Sequence, residues 1–193
     1  MLALVALAAL AAPPPFAAQF PADTTCVAGR GSSEAAEAAD SPPDSVSFRV
    51  GGYFVKVCYS RPLARRTQGM IGSPGLPYGV IWRTGGHAPA VIHTTTPVVI
   101  AGIAVSPGSY LLYTVPGENQ WEVVVNRSTR RWADGAGYDA VLRSQEVGRT
   151  FVPIEQVNQY VERLTFRPLP AAPHTILFLE WERVQVAIPI SPG

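Results

Sequence analysis

From Val46 to the C-terminus the chain is written in short runs of alternating apolar and polar residues, each closed by Gly, Pro or Asn. A period of two places every second side chain on one face of an extended strand, so this texture commits the chain to β-structure with one buried face per strand. "VSFRV" (46–50) sets Val46, Phe48 and Val50 against Ser47 and Arg49, and Gly51-Gly52 then turns into "YFVKVCYS" (53–60), a hairpin signal. Parity predicts Tyr53, Val55, Val57 and Tyr59 inward, with Lys56 and Cys58 on the other face. "APAVIHTTTPVVIAGIAV" supplies two or three short strands, and "SPGSYLLYTVPG" and "NQWEVVVNR" form an antiparallel pair joined through Gly117. "RLTFRPL", "TILFLEWE" and "VQVAIPI" complete the set. No window of helical length carries a 3.6-residue stripe; "IEQVNQYVERL" (154–164) comes nearest. The expected fold is all-β: one antiparallel β-sandwich or jelly-roll-like domain over 46–191, with about 9–10 short strands.

A chain of 193 residues with 47% apolar and 15% charged residues can bury one core. Charge is unevenly placed. Residues 1–45 hold Arg30 against Asp23, Glu34, Glu37, Asp40 and Asp44, net −4, and the remainder is +5. A surplus spread that thinly is far from the basic stripe that a phosphate backbone requires, so nucleic acid is excluded as a partner. The N-terminus opens on an apolar run from Leu2 to Ala12, broken by Pro13-Pro14-Pro15. That is too short for a membrane span, which takes about 20 residues, but it suits the apolar core of an export signal. Residues 1–18 are therefore expected to be a signal peptide and 19–45 a flexible acidic linker, giving an extracytoplasmic protein, periplasmic or secreted, without a transmembrane span. An oxidising compartment permits a disulfide between Cys26 and Cys58, the two cysteines of the chain.

"YGVIWRTGGH" (78–87) concentrates Trp82, Arg83 and His87 around Gly85-Gly86. In "TILFLEWE" Glu180 shares a strand face with Ile176 and Phe178, so its carboxylate is expected to be buried and to need a cation. Arg83 is the favoured partner and Arg61, held extended by Pro62, the second. Gly85 and Gly86 would then turn the chain and set His87 at the rim. Arg61, Arg65 and Arg66, and Arg127, Arg130 and Arg131 beside Trp132, are loop clusters able to hold an anionic glycan or headgroup.

Five blocks, "YSRP" (59–62), "PYGVIWRTGG" (77–86), "VSPGSYLLYTVPG" (105–117), "WEVVVN" (121–126) and "LEWERVQVAIPI" (179–190), resemble the bacterial family called domain of unknown function 2911. The resemblance implies an exported β-rich domain and brings no assigned activity. Two positions depart from it: Cys58 stands where members tend to carry Asp, and His87-Ala88 where they tend to carry Asn-Glu.

Chemistry-bearing motifs are sparse. There is no G-x-S-x-G elbow, P-loop or His-Glu-x-x-His helix, and His87 and His93 lie about 20 Å apart on an extended chain, so neither a cofactor nor a metal is expected. "WADGAGYDAV" (132–141) lacks the ligand alternation of a calcium loop and reads as a surface turn. The favoured function is non-catalytic binding of an unknown small molecule, glycan or envelope protein, with Tyr59, Arg61, Trp82, Arg83, His87 and Trp132 as binding residues. The alternative is a hydrolase or isomerase with its site around Tyr59, Arg61, Arg83 and His87.

Overall fold

In the computed structural model, which describes residues 26, 40–64, 69–86, 89–128 and 137–193, the alternating segments form one antiparallel sheet. Its strands are β1 (Pro43–Val50), β2 (Tyr53–Ser60), β3 (Ala90–Thr94), β4 (Val98–Ile100), β5 (Ile103–Val105), β6 (Gly108–Val115), β7 (Gln120–Asn126), β8 (Glu146–Ala171) and β9 (His174–Pro192). The order across the sheet is β1-β2-β3-β6-β7-β8-β9-β4-β5. One short helix, α1 (Ala140–Arg143), precedes β8 and is capped by Asp139, whose Oδ1 accepts the Leu142 N–H at 2.8 Å.

β1 and β2 meet through Gly51 (φ 56°) and Gly52 (φ 88°), the two left-handed positions of a tight hairpin whose twist matches its strands. β1 starts at Pro43, inside the stretch expected to be linker, because Pro43, Asp44 and Ser45 find partners in Ser60, Tyr59 and Cys58.

The nine strands are not uniformly short, because β8 runs for 26 residues and β9 for 19. β8 pairs with β7 over Glu146–Pro153 and then with β9 from Ile154 to Ala171. It is therefore shared by two layers and turns the sheet over its own core, as strands do at the corners of orthogonal packings. The turn is made at register shifts between Gln156 and Val161 and between Val161 and Thr165. Those bulges also explain why 154–164 resembles a helix in sequence. Each extra residue stretches the period locally, so that from 154 to 161 the half-buried positions fall at 154, 157, 160 and 161.

The inner faces enclose Val55, Val57, Ile92, Leu112, Val123, Leu164, Leu177, Leu179, Ile188 and Ile190 around Trp121 and Trp181. Val55, Val57 and Tyr59 point inward as parity requires, but Tyr53, beside the hairpin turn, is exposed. A smaller cluster of Leu111, Tyr113 and Val124 lies on the opposite face of β6 and β7, with Tyr138 packed against it. Cys58 is also buried, and its Sγ is bonded to Sγ of Cys26, 32 residues away, with Cα atoms 5.4 Å apart. The stretch 1–18, most of 19–45, Arg65, Arg66, His87, Arg130, Arg131 and Trp132 lie outside the described residues.

Candidate functional site

The Trp-Arg-Thr-Gly-Gly segment is fastened along β6. Trp82 and Thr114 exchange backbone hydrogen bonds of 2.7 and 3.0 Å, and the Trp82 indole N–H donates to the Gly85 carbonyl at 3.1 Å. The ring stacks on Trp181 (5.4 Å, 11°) and meets Trp121 edge-on (6.3 Å, 81°), so it plugs the core between β7 and β9. The left-handed residue here is Thr84 (φ 56°), fully buried with Oγ1 3.0 Å from Oγ1 of Thr114; neither Gly85 nor Gly86 has a positive φ. Gly86 donates its N–H to Ser60 Oγ at 2.8 Å, and the Arg83 carbonyl accepts the Ala90 N–H at 3.0 Å.

Glu180 takes a different partner from the one expected. Its Oε1 lies 2.6 Å from Nη2 of Arg167, whose Nε donates to Oε2 at 3.1 Å, and Gln185 Nε2 donates to Oε1 at 2.6 Å. Arg83 is replaced because register places Glu180 opposite Thr165, which makes Arg167 its diagonal neighbour on the outer face of β8. Parity correctly joined Glu180 to Ile176 and Phe178, but that face is half-exposed while Leu177, Leu179 and Trp181 face the core.

Tyr59 and Arg61 come together as a clasp between layers. The Tyr59 hydroxyl accepts the Phe166 N–H at 3.2 Å and donates to Asp44 Oδ2 at 3.3 Å, and the ring meets Phe166 edge-on at 4.8 Å. Arg61 donates from Nε to the Leu164 carbonyl (3.0 Å) and from Nη2 to Thr165 Oγ1 (2.8 Å), and its Nη1 lies 3.3 Å from Asp44 Oδ2. Burial pushes the Tyr59 phenol above its ordinary pKa, against the lowering effect of its bond to Phe166. These side chains are occupied in tying β2 to β8.

Concave surface with convergent polar groups occurs elsewhere. A cleft of about 240 Å³ lies between the 69–78 loop and the bulged stretch shared by β8 and β9, lined by Gly69, Ile71, Tyr78, Gln156, Tyr160, Glu182, Arg183 and Val184. The loop is closed by its own bonds: Gly72 N–H to the Leu76 carbonyl (2.9 Å), Leu76 N–H to Ser73 (3.0 Å) and Ser73 Oγ to Met70 (2.7 Å). Tyr78 lies flush on Gly72, where a β-carbon would come within 2.8 Å of its ring, and the ring is 44% exposed.

On the opposite wall Glu182 has φ 54°, a left-handed conformation that costs a non-glycine residue about 1–2 kcal/mol. It is only 9% exposed, and its carboxylate accepts the N–H groups of Met70 and, at 3.4 Å, Ile71. Arg183, also in the lining, has its guanidinium over the Tyr160 ring at 6.0 Å and Nη1 bonded to the Asn158 carbonyl. No cationic side chain pairs with Glu182 among the described residues.

None of these cleft residues stood out in the sequence, although one signal marks the place. The buried apolar positions of β9 are 177, 179 and 181, then 184, 186, 188 and 190, so the apolar alternation changes phase at Glu182-Arg183. A phase break inside a continuous apolar alternation is the sequence mark of a bulge, and bulges re-aim side chains beside functional sites.

No curated protein and no solved structure matches the chain. A family model described as "protein of unknown function (DUF2911)" matches residues 41–190, from just before β1 to near the end of β9.

Proposed function

The chain belongs to the DUF2911 family, and we propose that it is an exported β-domain that binds a small saccharide-type ligand in the cleft beside Glu182. The observation that carries this reading is the strained Glu182, held at a bulge with its carboxylate in a cleft that also presents an exposed tyrosine ring. Backbone strain at a bulge persists only where its surroundings over-determine it, and such positions cluster at ligand sites. A ring face for apolar C–H groups, with carboxylate, amide and phenol groups for hydroxyls, is the complement of a sugar. At about 240 Å³ the cleft lies below the drug-sized range of about 300–1,000 Å³ and suits one ring rather than a long chain. A protein partner would need about 800 Å² of matching surface, so a glycan is preferred to an envelope protein.

The Cys26–Cys58 bond supports the extracytoplasmic part of the reading, since disulfides persist in oxidising compartments. Removal of residues 1–18 on export leaves Cys26 in the mature chain, as the bond requires. Mass spectrometry of exported protein is expected to show a new N-terminus upstream of Cys26; an intact Met1 in exported material would overturn the export proposal. Binding is tested by a thermal-shift screen of monosaccharides against the wild type and Tyr78→Ala. A ligand that stabilises the wild type and loses its effect in Tyr78→Ala is expected, and stabilisation that survives the substitution places the site elsewhere.

A further inference from the structure

The Glu182 carboxylate says which chemical group the cleft seats, and we infer that the ligand group lodged against it is a protonated amine, so that the cleft selects an ammonium-bearing ring, such as an amino sugar, over neutral and anionic ones. The inference rests on the binding reading above. Glu182 and Arg183 are the charged residues in the lining, and they are not paired with each other. Arg183 is engaged at the cleft wall by the Asn158 carbonyl and the Tyr160 ring rather than by Glu182. Glu182 receives two backbone N–H groups, which fix its position but do not cancel its charge. A carboxylate that is 9% exposed among Ile71 and Val184 keeps little of its water, and among the described residues no cation neutralises it. Among the described residues one N–H reaches each carboxylate oxygen, which leaves each a lone pair for a ligand.

An ammonium group answers that arrangement twice. It donates charge-assisted hydrogen bonds to the carboxylate, and it is attracted by the exposed ring of Tyr78. A neutral hydroxyl donates without cancelling the charge. A ring carboxylate repels Glu182 where solvent screening is weak. A lone carboxylate falls well short of the six to eight oxygen ligands of a calcium site, so a bare divalent cation is a poorer occupant.

Glucosamine, glucose and glucuronate, three rings of nearly the same shape and different charge, make the test. Each is titrated into the purified protein by calorimetry and by amide NMR, with Met70 and Ile71 as reporters of the site. Glucosamine is expected to bind at least about tenfold more tightly than glucose, the difference between a charged and a neutral hydrogen bond, with glucuronate weakest. In Glu182→Gln, which keeps a carbonyl oxygen for the loop amides, the glucosamine preference is expected to fall to parity. Binding at these amides without a preference for glucosamine, or a preference that survives in Glu182→Gln, overturns the ammonium assignment and leaves the saccharide reading standing. If none of the three sugars shifts the Met70 and Ile71 resonances, the saccharide reading itself fails.

Discussion

Gly86 shows how a single position is dictated by its neighbour rather than by its own backbone. A β-carbon on it would stand 2.1 Å from Oγ and 2.5 Å from Cβ of Ser41, just before β1. Gly86→Ala is therefore expected to cost about 1–3 kcal/mol in urea denaturation, the range for overpacking. Ser41→Gly in the same chain should recover part of the loss, because it removes both clashing atoms; two losses that simply add would show that Gly86 is not limited by that contact. Tyr113 makes a second residue-scale case. It is fully buried on β6, with the Tyr138 ring 5.0 Å away, and burial pushes its phenol up to about 12. Burial also raises Tyr138, outweighing the bond from Asn126. An unfolded tyrosine ionises near pH 10, so above that pH the unfolded chain releases a proton that the folded chain retains. Stability is then lost as pH rises, by about 1.4 kcal/mol per unit for Tyr113 between its unfolded and folded values. Tyr113→Phe should remove that share of the alkaline loss, and an unchanged pH slope in the variant would show that Tyr113 is not its source.

At the scale of elements, β9 changes its inward face half-way along, and the turnover residue is Glu182. The carboxylate released by that twist holds the 69–78 loop by two amides. Glu182→Ala should cost about 1–3 kcal/mol by leaving those donors without an acceptor. It should also speed hydrogen exchange at Met70 and Ile71 selectively. Unchanged exchange there would mean that the loop holds itself. The Arg167–Glu180 pair on the outer face is a contrasting case: Arg167 is 46% exposed, so Arg167→Ala should cost under about 1 kcal/mol. A loss of several kcal/mol would mean that this pair is shielded from water.

Across the whole molecule, β8 belongs to both layers, while the Cys26–Cys58 bond ties a residue well before β1 in the chain to the face of β2 opposite Val55, Val57 and Tyr59. In the chain-entropy picture, closing a loop with its ends 32 residues apart stabilises the fold by about 3–4 kcal/mol. Denatured exported protein is expected to show no free thiol before reduction and two after it, since the chain has two cysteines. Its denaturation midpoint should fall on reduction. Two free thiols before reductant is added would rule the bond out.

The sequence by itself determined what depends on nearest neighbours along the chain. Alternation in "VSFRV" and "YFVKVCYS" with Gly51-Gly52 between them specifies a hairpin, because two left-handed glycines match strand twist. The repeat of such units with almost no helix fixes the all-β class. Parity likewise grouped Glu180 with Ile176 and Phe178. Parity has no sign, however, and which face of β9 meets the core was decided only when β9 lay down between β8 and β4. The same pairing gave Glu180 to Arg167, across a register that no local pattern encodes. The cleft is further out of reach, since its walls come from 69–78, 156–160 and 182–184, and strain at Glu182 exists only because packing on both sides of the bulge requires it. What the chain carried locally was the phase break at Glu182-Arg183; tertiary structure turned that break into a buried carboxylate held by backbone amides.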